Sequence, residues 1–285
     1  MDHLAADRAR ITIVGELAIR LGNRVIEACA ERHVLLMPLK GLLVLSRWPS
    51  LQGQRDLVDI DLLVRSSDFG TVSEVLGLLG FEATVPSSAG TTFASDAWPL
   101  SIDLHQDLFP HGLFRMSAEG VLSRAERDAS LFARPVLRMS DEDLFAHLIG
   151  HFVKGRGTFR EDTSLDDLHW LLRQGLFRPD DAGGLGAHLG ALGLHRAAGY
   201  VLSHPSFADD PVAAAVLRSL RWSRLDRATV AIAQLGTRLS GETPPWWTPH
   251  LLDRSLIDGG RSLCEHVSEA RLRIMSPLMQ GREST

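Results

Sequence analysis

An α+β first half followed by an all-helical second half is the fold class this sequence predicts, and three observations carry it. Apolar residues recur at helical spacing through the first thirty positions. Short alternating or wholly apolar runs, punctuated by Gly and Pro, then continue to about residue 105. Beyond residue 136 every long patterned segment has helical period. The expected division is residues 1–135, a small mixed sheet with flanking helices, and residues 136–285, a helical domain.

Taken in order, Ile11, Val14, Leu17, Leu21, Val25 and Ile26 mark one face of a long helix over residues 6–31. His33 to Leu39 is an apolar run ending at Lys40-Gly41, a strand running into a turn, and Leu42 to Trp48 is a short helix stopped by Pro49. Leu57 to Val64 reads L-V-D-I-D-L-L-V and is a strand. An amphipathic helix over Asp68 to Leu79 is closed by Gly80, and strands are expected near residues 82–85 and 91–94. Leu100 to His105 reads L-S-I-D-L-H, with period two. It sets Ser101 and Asp103 on one face and Ile102 and Leu104 on the other. Past Pro135, Ser140 is an N-cap with Asp143 three residues on. Helices are then expected over residues 141–154, 164–173, 182–202, 211–220, 224–239 and 253–274. The proline-rich stretch Thr243 to His250 is a packed loop, and the last five residues are a frayed end.

Composition narrows the classes. Hydrophobic residues at 45% and charged residues at 23% fit a globular chain with a real core. A net charge of −5 argues against a surface made mainly for duplex nucleic acid or anionic lipid. Cys29 and Cys264 sit in apolar helical patterns and read as buried reduced thiols. The opening MDHLAADRAR has acids and no apolar stretch, and no run is long enough to span a bilayer, so a cytoplasmic protein is expected. Of 30 basic side chains only Lys40 and Lys154 are lysine. A lysine kept against such a bias points to a place where arginine's planar fork does not serve.

The chemistry concentrates in D-I-D on one strand and I-D-L some forty residues later on another. Residues i and i+2 of a strand share a face, so Asp59 and Asp61 project side by side among apolar neighbours. Two carboxylates so placed repel unless one is protonated or a cation lies between them. A hard divalent ion, Mg2+ or Mn2+, satisfies that demand with oxygen ligands. If Asp103 lies on the neighbouring strand, a third carboxylate joins them, the set a two-metal phosphoryl-transfer site needs.

The run L-K-G (Leu39 to Gly41), R-D-x-x-D-I-D-L-L-V (Arg55 to Val64) and I-D-L-H (Ile102 to His105) resembles the nucleotidyltransferase superfamily of DNA polymerase β. More narrowly, it resembles a bacterial family of uncharacterised nucleotidyltransferases. The likeness is close over residues 31–110 and looser through H-L-x-x-H-F-x-K (His147 to Lys154) and D-D-L-H-W-L-L (Asp166 to Leu172). It implies a polymerase-β-like domain whose nucleotide cleft is closed by the helical domain. It also implies transfer of a nucleoside monophosphate from a nucleoside triphosphate, ATP among them, to an acceptor. Lys40 and Gly41 then map to the turn that grips the triphosphate. Asp59 and Asp61 map to the metal pair and Asp103 to the third acid, which are also the catalytic residues. The superfamily turn is usually Gly-Ser or Gly-Gly close to the aspartates; Lys-Gly with a long gap replaces serine contact with an ammonium at a phosphate oxygen.

Arg55 and Arg65 flank the aspartate strand and suit the same task, although Arg65 also reads as a solvated strand end. His105 follows Asp103 by two and shares its face, suited to the acceptor or a metal-bound water. His147 and His151 are four apart on one helix with Lys154 beyond. Leu148 stands where a hydrolytic zinc helix needs glutamate, so the helix either packs its imidazoles or turns His151 and Lys154 to the nucleotide phosphates, with Asp166 or Asp167 pairing those bases. Three functions stand: transfer to a small molecule or peptide, which is favoured; a toxin-like enzyme acting on RNA; and a non-catalytic nucleotide-binding scaffold. The three intact acids weigh against the last.

Overall fold

The structure is a computed structural model that describes residues 2–87, 89–110, 112–155, 163–240, 244–245 and 247–253. Along the chain lie α1 (Asp2–Glu31), β1 (Met37–Pro38), α2 (Lys40–Arg47), β2 (Asp59–Leu63), α3 (Phe69–Leu78), β3 (Glu82–Pro86), β4 (Gly90–Ala94), β5 (Ser101–His105), α4 (Ala118–Arg124), β6 (Glu126–Asp128) and β7 (Val136–Arg138). Helices α5 (Asp141–Gly155), α6 (Thr163–Arg173), α7 (Ala182–Ala191), α8 (His195–Leu202), α9 (Pro211–Ser219), α10 (Arg224–Leu239) and α11 (Thr248–Leu252) follow. The chain divides into two compact units. The first comprises residues 1–109, 116–148 and 161–176; the second comprises 110–115, 149–160 and 177–285. No helix of the described residues is long and apolar enough to cross a membrane.

In the first unit a five-stranded mixed sheet runs β1-β2-β5-β4-β3. Strands β2 and β5 are parallel, and the other neighbours are antiparallel. Period two explains its layering. Ile60 and Leu62 of β2, with Ile102 and Leu104 of β5, are wholly buried in one core with Leu21, Val25, Ile26 and Cys29 of α1. The alternate positions, Asp59, Asp61, Asp103 and His105, therefore face the other side. Burial pushes the Cys29 thiol up to about 12, an unreactive packed cysteine. Cys264 and the helix expected over residues 253–274 lie outside the described residues, apart from Asp253 at its edge, as do the last five residues.

The strand expected over residues 33–39 shrinks to Met37–Pro38, because His33 at φ 61° turns the chain as α1 ends. Strand β5 is fixed from its far side by Gly90, which pairs with His105. A Cβ there would lie 2.1 Å from the Leu104 carbonyl oxygen and 2.9 Å from His105 Cα. Both are backbone atoms, so nothing can rotate away. Gly90→Ala is expected to lower unfolding free energy by at least ~1–3 kcal/mol, read from the urea midpoint. An unchanged midpoint would contradict the β4–β5 register.

The second unit holds the helices from α7 onward. The single helix expected over 182–202 is two, α7 and α8, broken where Gly193 takes φ 76°. Helix α10 begins at Ser223, whose hydroxyl accepts from Asp226 N–H while the Asp226 carboxylate accepts from Ser223 N–H. That carboxylate also receives Arg196 Nε at 2.6 Å, tying α8 to α10, and Arg196 Nη1 donates to the Asp253 carbonyl. In the expected packed loop, Trp247 lies against Gly236 of α10; Thr243 and Trp246 lie outside the described residues.

Candidate metal and nucleotide site

Parallel pairing of β2 and β5 sets Asp61 directly opposite Asp103, with Asp59 opposite Ser101 and Leu63 opposite His105. Asp61, Asp103 and His105 each offer a ligand atom, all within 4.8 Å of one another. Asp59 stands outside that trio, one pleat earlier on β2. The three expected acids thus share a face, two of them as direct cross-strand partners, and His105 joins them.

Asp61 is the hub. Lys40 Nζ donates to its Oδ1 at 2.6 Å, and His105 Nε2 lies 2.9 Å from the same oxygen. An ionised carboxylate only accepts, so His105 carries its proton on Nε2. Its Nδ1 is buried with no hydrogen-bond partner among the described residues. Burial works to raise the Asp61 carboxyl, but Lys40 and His105 overcome it and hold the group well below the usual carboxylate range. Asp59 goes the other way. Burial first, then the charges of Asp61 and Asp103, push it up to about 6 against the pull of Lys40 and Arg55. Two neighbouring carboxylates of one strand are held at opposite ends of their range.

The Lys40 turn is built for this. Leu39 N–H donates to the Asp61 carbonyl at 3.0 Å, docking the turn on β2. Lys40 sits at φ 41°, a left-handed conformation that costs a non-glycine residue about 1 kcal/mol or more and clusters at functional sites. Gly41 leaves room beside it, since a Cβ there would come within 2.2 Å of Leu57 Cδ2 and 3.1 Å of Arg55 Nη2, and those side-chain ends would have to move.

Arg55, expected at a phosphate, is engaged elsewhere. Its Nε and Nη2 donate to the two oxygens of Asp167 at 2.8 and 3.0 Å, and its Nη1 donates to the Asp56 carbonyl. The Asp167 carboxylate, on α6 and 112 residues away in sequence, is a site neighbour that sequence spacing did not reveal. Arg65 is exposed just beyond β2. His147 is buried, its ring edge-on to Phe109 at 5.8 Å, which agrees with a packing role. His151 and Lys154 belong to the second unit. The expected N-cap of α5 is present, Ser140 Oγ accepting from Asp143 N–H at 3.1 Å.

The site thus brings together carboxylates from two parallel strands, a lysine bonded to one of them and a histidine on the same oxygen. The sequence model of the family described as "Uncharacterised nucleotidyltransferase" matches residues 2–206, and the chain belongs to that family of enzymes. Solved structures with some likeness include the solution structure of the antibiotic-resistance factor ANT(2'')-Ia, at 14% identity over 61% of this chain and 89% of that one, with a TM-score of 0.45. ANT(2'')-Ia in complex with adenylyl-2''-tobramycin matches at 15% identity over 61% and 95%, with a TM-score of 0.42. JHP933 from Helicobacter pylori matches at 12% identity over 81% and 98%, with a TM-score of 0.37. No curated protein matches the chain.

Proposed function

We propose that the protein is a Mg2+-dependent nucleotidyltransferase that moves a nucleoside monophosphate from a nucleoside triphosphate to a hydroxyl of a small molecule or peptide. The observation that carries this is the cross-strand pairing of Asp61 with Asp103, with Asp59 on the same face, in a chain of a nucleotidyltransferase family. The donor set suits the ion. Carboxylate oxygens from β2 and β5 are hard ligands, and Asp59 is an acid whose negative charge lacks enough compensation from Lys40 and Arg55. Asp59, Asp61 and Asp103 would hold Mg2+ or Mn2+, which when bound supplies charge neutralisation at the phosphates and a more acidic acceptor hydroxyl.

In the transfer, the acceptor oxygen forms a bond to the α-phosphorus, the bond from that phosphorus to the bridging oxygen breaks, and pyrophosphate leaves. The hydroxyl proton passes to a carboxylate of the acid face, Asp103 being assigned that role from the family likeness, and from there to water. Lys40 and Gly41 form the turn that meets the triphosphate. His105 keeps Asp61 oriented through Oδ1. His151 and Lys154 are assigned to the nucleotide phosphates from the family likeness alone. Arg55 is not assigned to a phosphate, because its donors are committed to Asp167 and Asp56. The net charge of −5 favours a small acceptor over RNA.

The reading is tested by thermal unfolding with each common triphosphate and Mg2+ or Mn2+. A ligand at a hundred times its Kd should add about 2.7 kcal/mol. No stabilisation by any triphosphate with either metal would sink the proposal. Labelled triphosphates offered with small alcohols, peptides and total RNA then identify the acceptor, and transfer to RNA alone would overturn the small-acceptor part.

A further inference from the structure

We propose that Asp167 is a positioning residue that holds the Arg55 guanidinium and so keeps this second cation off the acid face, above all off Asp59, which Lys40 does not already hold as it holds Asp61. The proposal rests on the metal-dependent reading above and adds the device that leaves Asp59 available to an ion.

Arginine does not lose its proton in proteins, and its fork fits a carboxylate face in two parallel bonds. Such a group next to a divalent-ion site is a competitor for it. Arg55 precedes Asp59 by four residues, and the Arg55 side chain is only 12% exposed. Besides Asp167, the carboxylates whose charge acts on its guanidinium are Asp59 and then Asp61. The missing side chain at Gly41 gives the guanidinium its berth, 3.1 Å from where a Cβ would stand.

Asp167 is suited to hold it there. Its side chain is 2% exposed and takes both Nε and Nη2, the bidentate geometry. It is delivered by α6, whose Leu168 and Leu171 are buried and whose Trp170 ring packs edge-on against Trp48 of the α2 end, with centroids 4.3 Å apart. The carboxylate therefore sits on a packed helix rather than a loop. Remove its charge, and the carboxylates that still draw the guanidinium include Asp59 and Asp61.

The experiment titrates the full-length protein with Mn2+ alone and follows free Mn2+ by electron paramagnetic resonance, with melting temperature recorded alongside. Asp167→Asn is expected to bind Mn2+ at least about tenfold more weakly than the unsubstituted chain, the scale on which groups behind metal ligands act. Arg55→Met placed in the Asp167→Asn background is expected to restore the affinity, because the competing cation is gone. Asp167→Asn/Arg55→Lys, which keeps a cation without its partner, is expected to stay weak, so this pair of double variants reads the effect even if Asp167→Asn does not fold. Equal Mn2+ affinity in the two double variants, or unchanged affinity in a folded Asp167→Asn, overturns the proposal and leaves the pair a scaffold contact. Failure of the unsubstituted chain to bind Mn2+ overturns the metal-dependent reading and this proposal with it, a result distinct from binding that is indifferent to Asp167.

Discussion

In metal-free protein at pH 8, Asp59→Asn is expected to raise the melting temperature and Asp61→Asn to lower it, although each removes a carboxylate from the same face of one strand. The sign follows from their surroundings. Folding raises the Asp59 carboxyl from its usual 3.8 to about 6, so the native state binds this proton more tightly than the unfolded chain does. Stability therefore falls as pH rises from about 4 to 6, by up to about 3 kcal/mol at 1.36 kcal/mol per pKa unit, and the loss is complete above that window. Asparagine at position 59 carries no charge and escapes it, so the pH dependence in that window should flatten. Asp61 is shifted down by Lys40 and His105. Its contribution is present above its unfolded value and is lost as the medium becomes more acidic than that. Neutralising it leaves the Lys40 ammonium, 14% exposed, without its carboxylate. Breaking such a buried pair costs about 3–5 kcal/mol. Both variants should lose transfer activity. Melting curves across pH 4–8 check the stability claim, and equal shifts of the same sign in the two variants would contradict the site's electrostatics.

Asp103→Asn separates catalysis from folding. Asp103 is half-buried and stands in the trio with Asp61 and His105, while Lys40 and His105 are bonded to Asp61 rather than to it. Asparagine keeps its shape and leaves the β5 ladder intact. The melting temperature should stay nearly constant. The transfer rate should drop by roughly a hundredfold to a thousandfold, the range for losing one preorganised charged group. Steady-state rates at saturating triphosphate measure this, and retention of more than about a tenth of the rate would remove Asp103 from the catalytic set.

Much of this was legible in the sequence because strands write their layering in period two. I-D-L on β2 and I-D-L on β5 each place an apolar pair inside and the acids outside, and Ile60, Leu62, Ile102 and Leu104 are all wholly buried. The junction at Lys40-Gly41 was legible as well, as the end of an apolar run before a helix, but α2 starts at Lys40 itself rather than at Leu42, so the two residues form its first turn. Short elements were not legible. Strands β6 and β7 have three residues each, too few for a period, and α4 has seven. The break between α7 and α8 hangs on the backbone of one glycine within an unbroken helical pattern. The role of Arg55 was out of reach for a different reason. Its partner is fixed by how α6 packs, and no local pattern records a contact across 112 residues.

The direct test of the central claim is the anomalous difference map of crystals grown with Mn2+ and a non-hydrolysable nucleoside triphosphate. The acid face of β2 and β5 predicts at least one Mn2+ peak coordinated by carboxylate oxygens of both Asp61 and Asp103, at about 2.0–2.3 Å, with Asp59 reaching the same or a second ion and the triphosphate bridging to Lys40. Nucleotide bound with no peak at these acids, or a peak held by other residues, would contradict it.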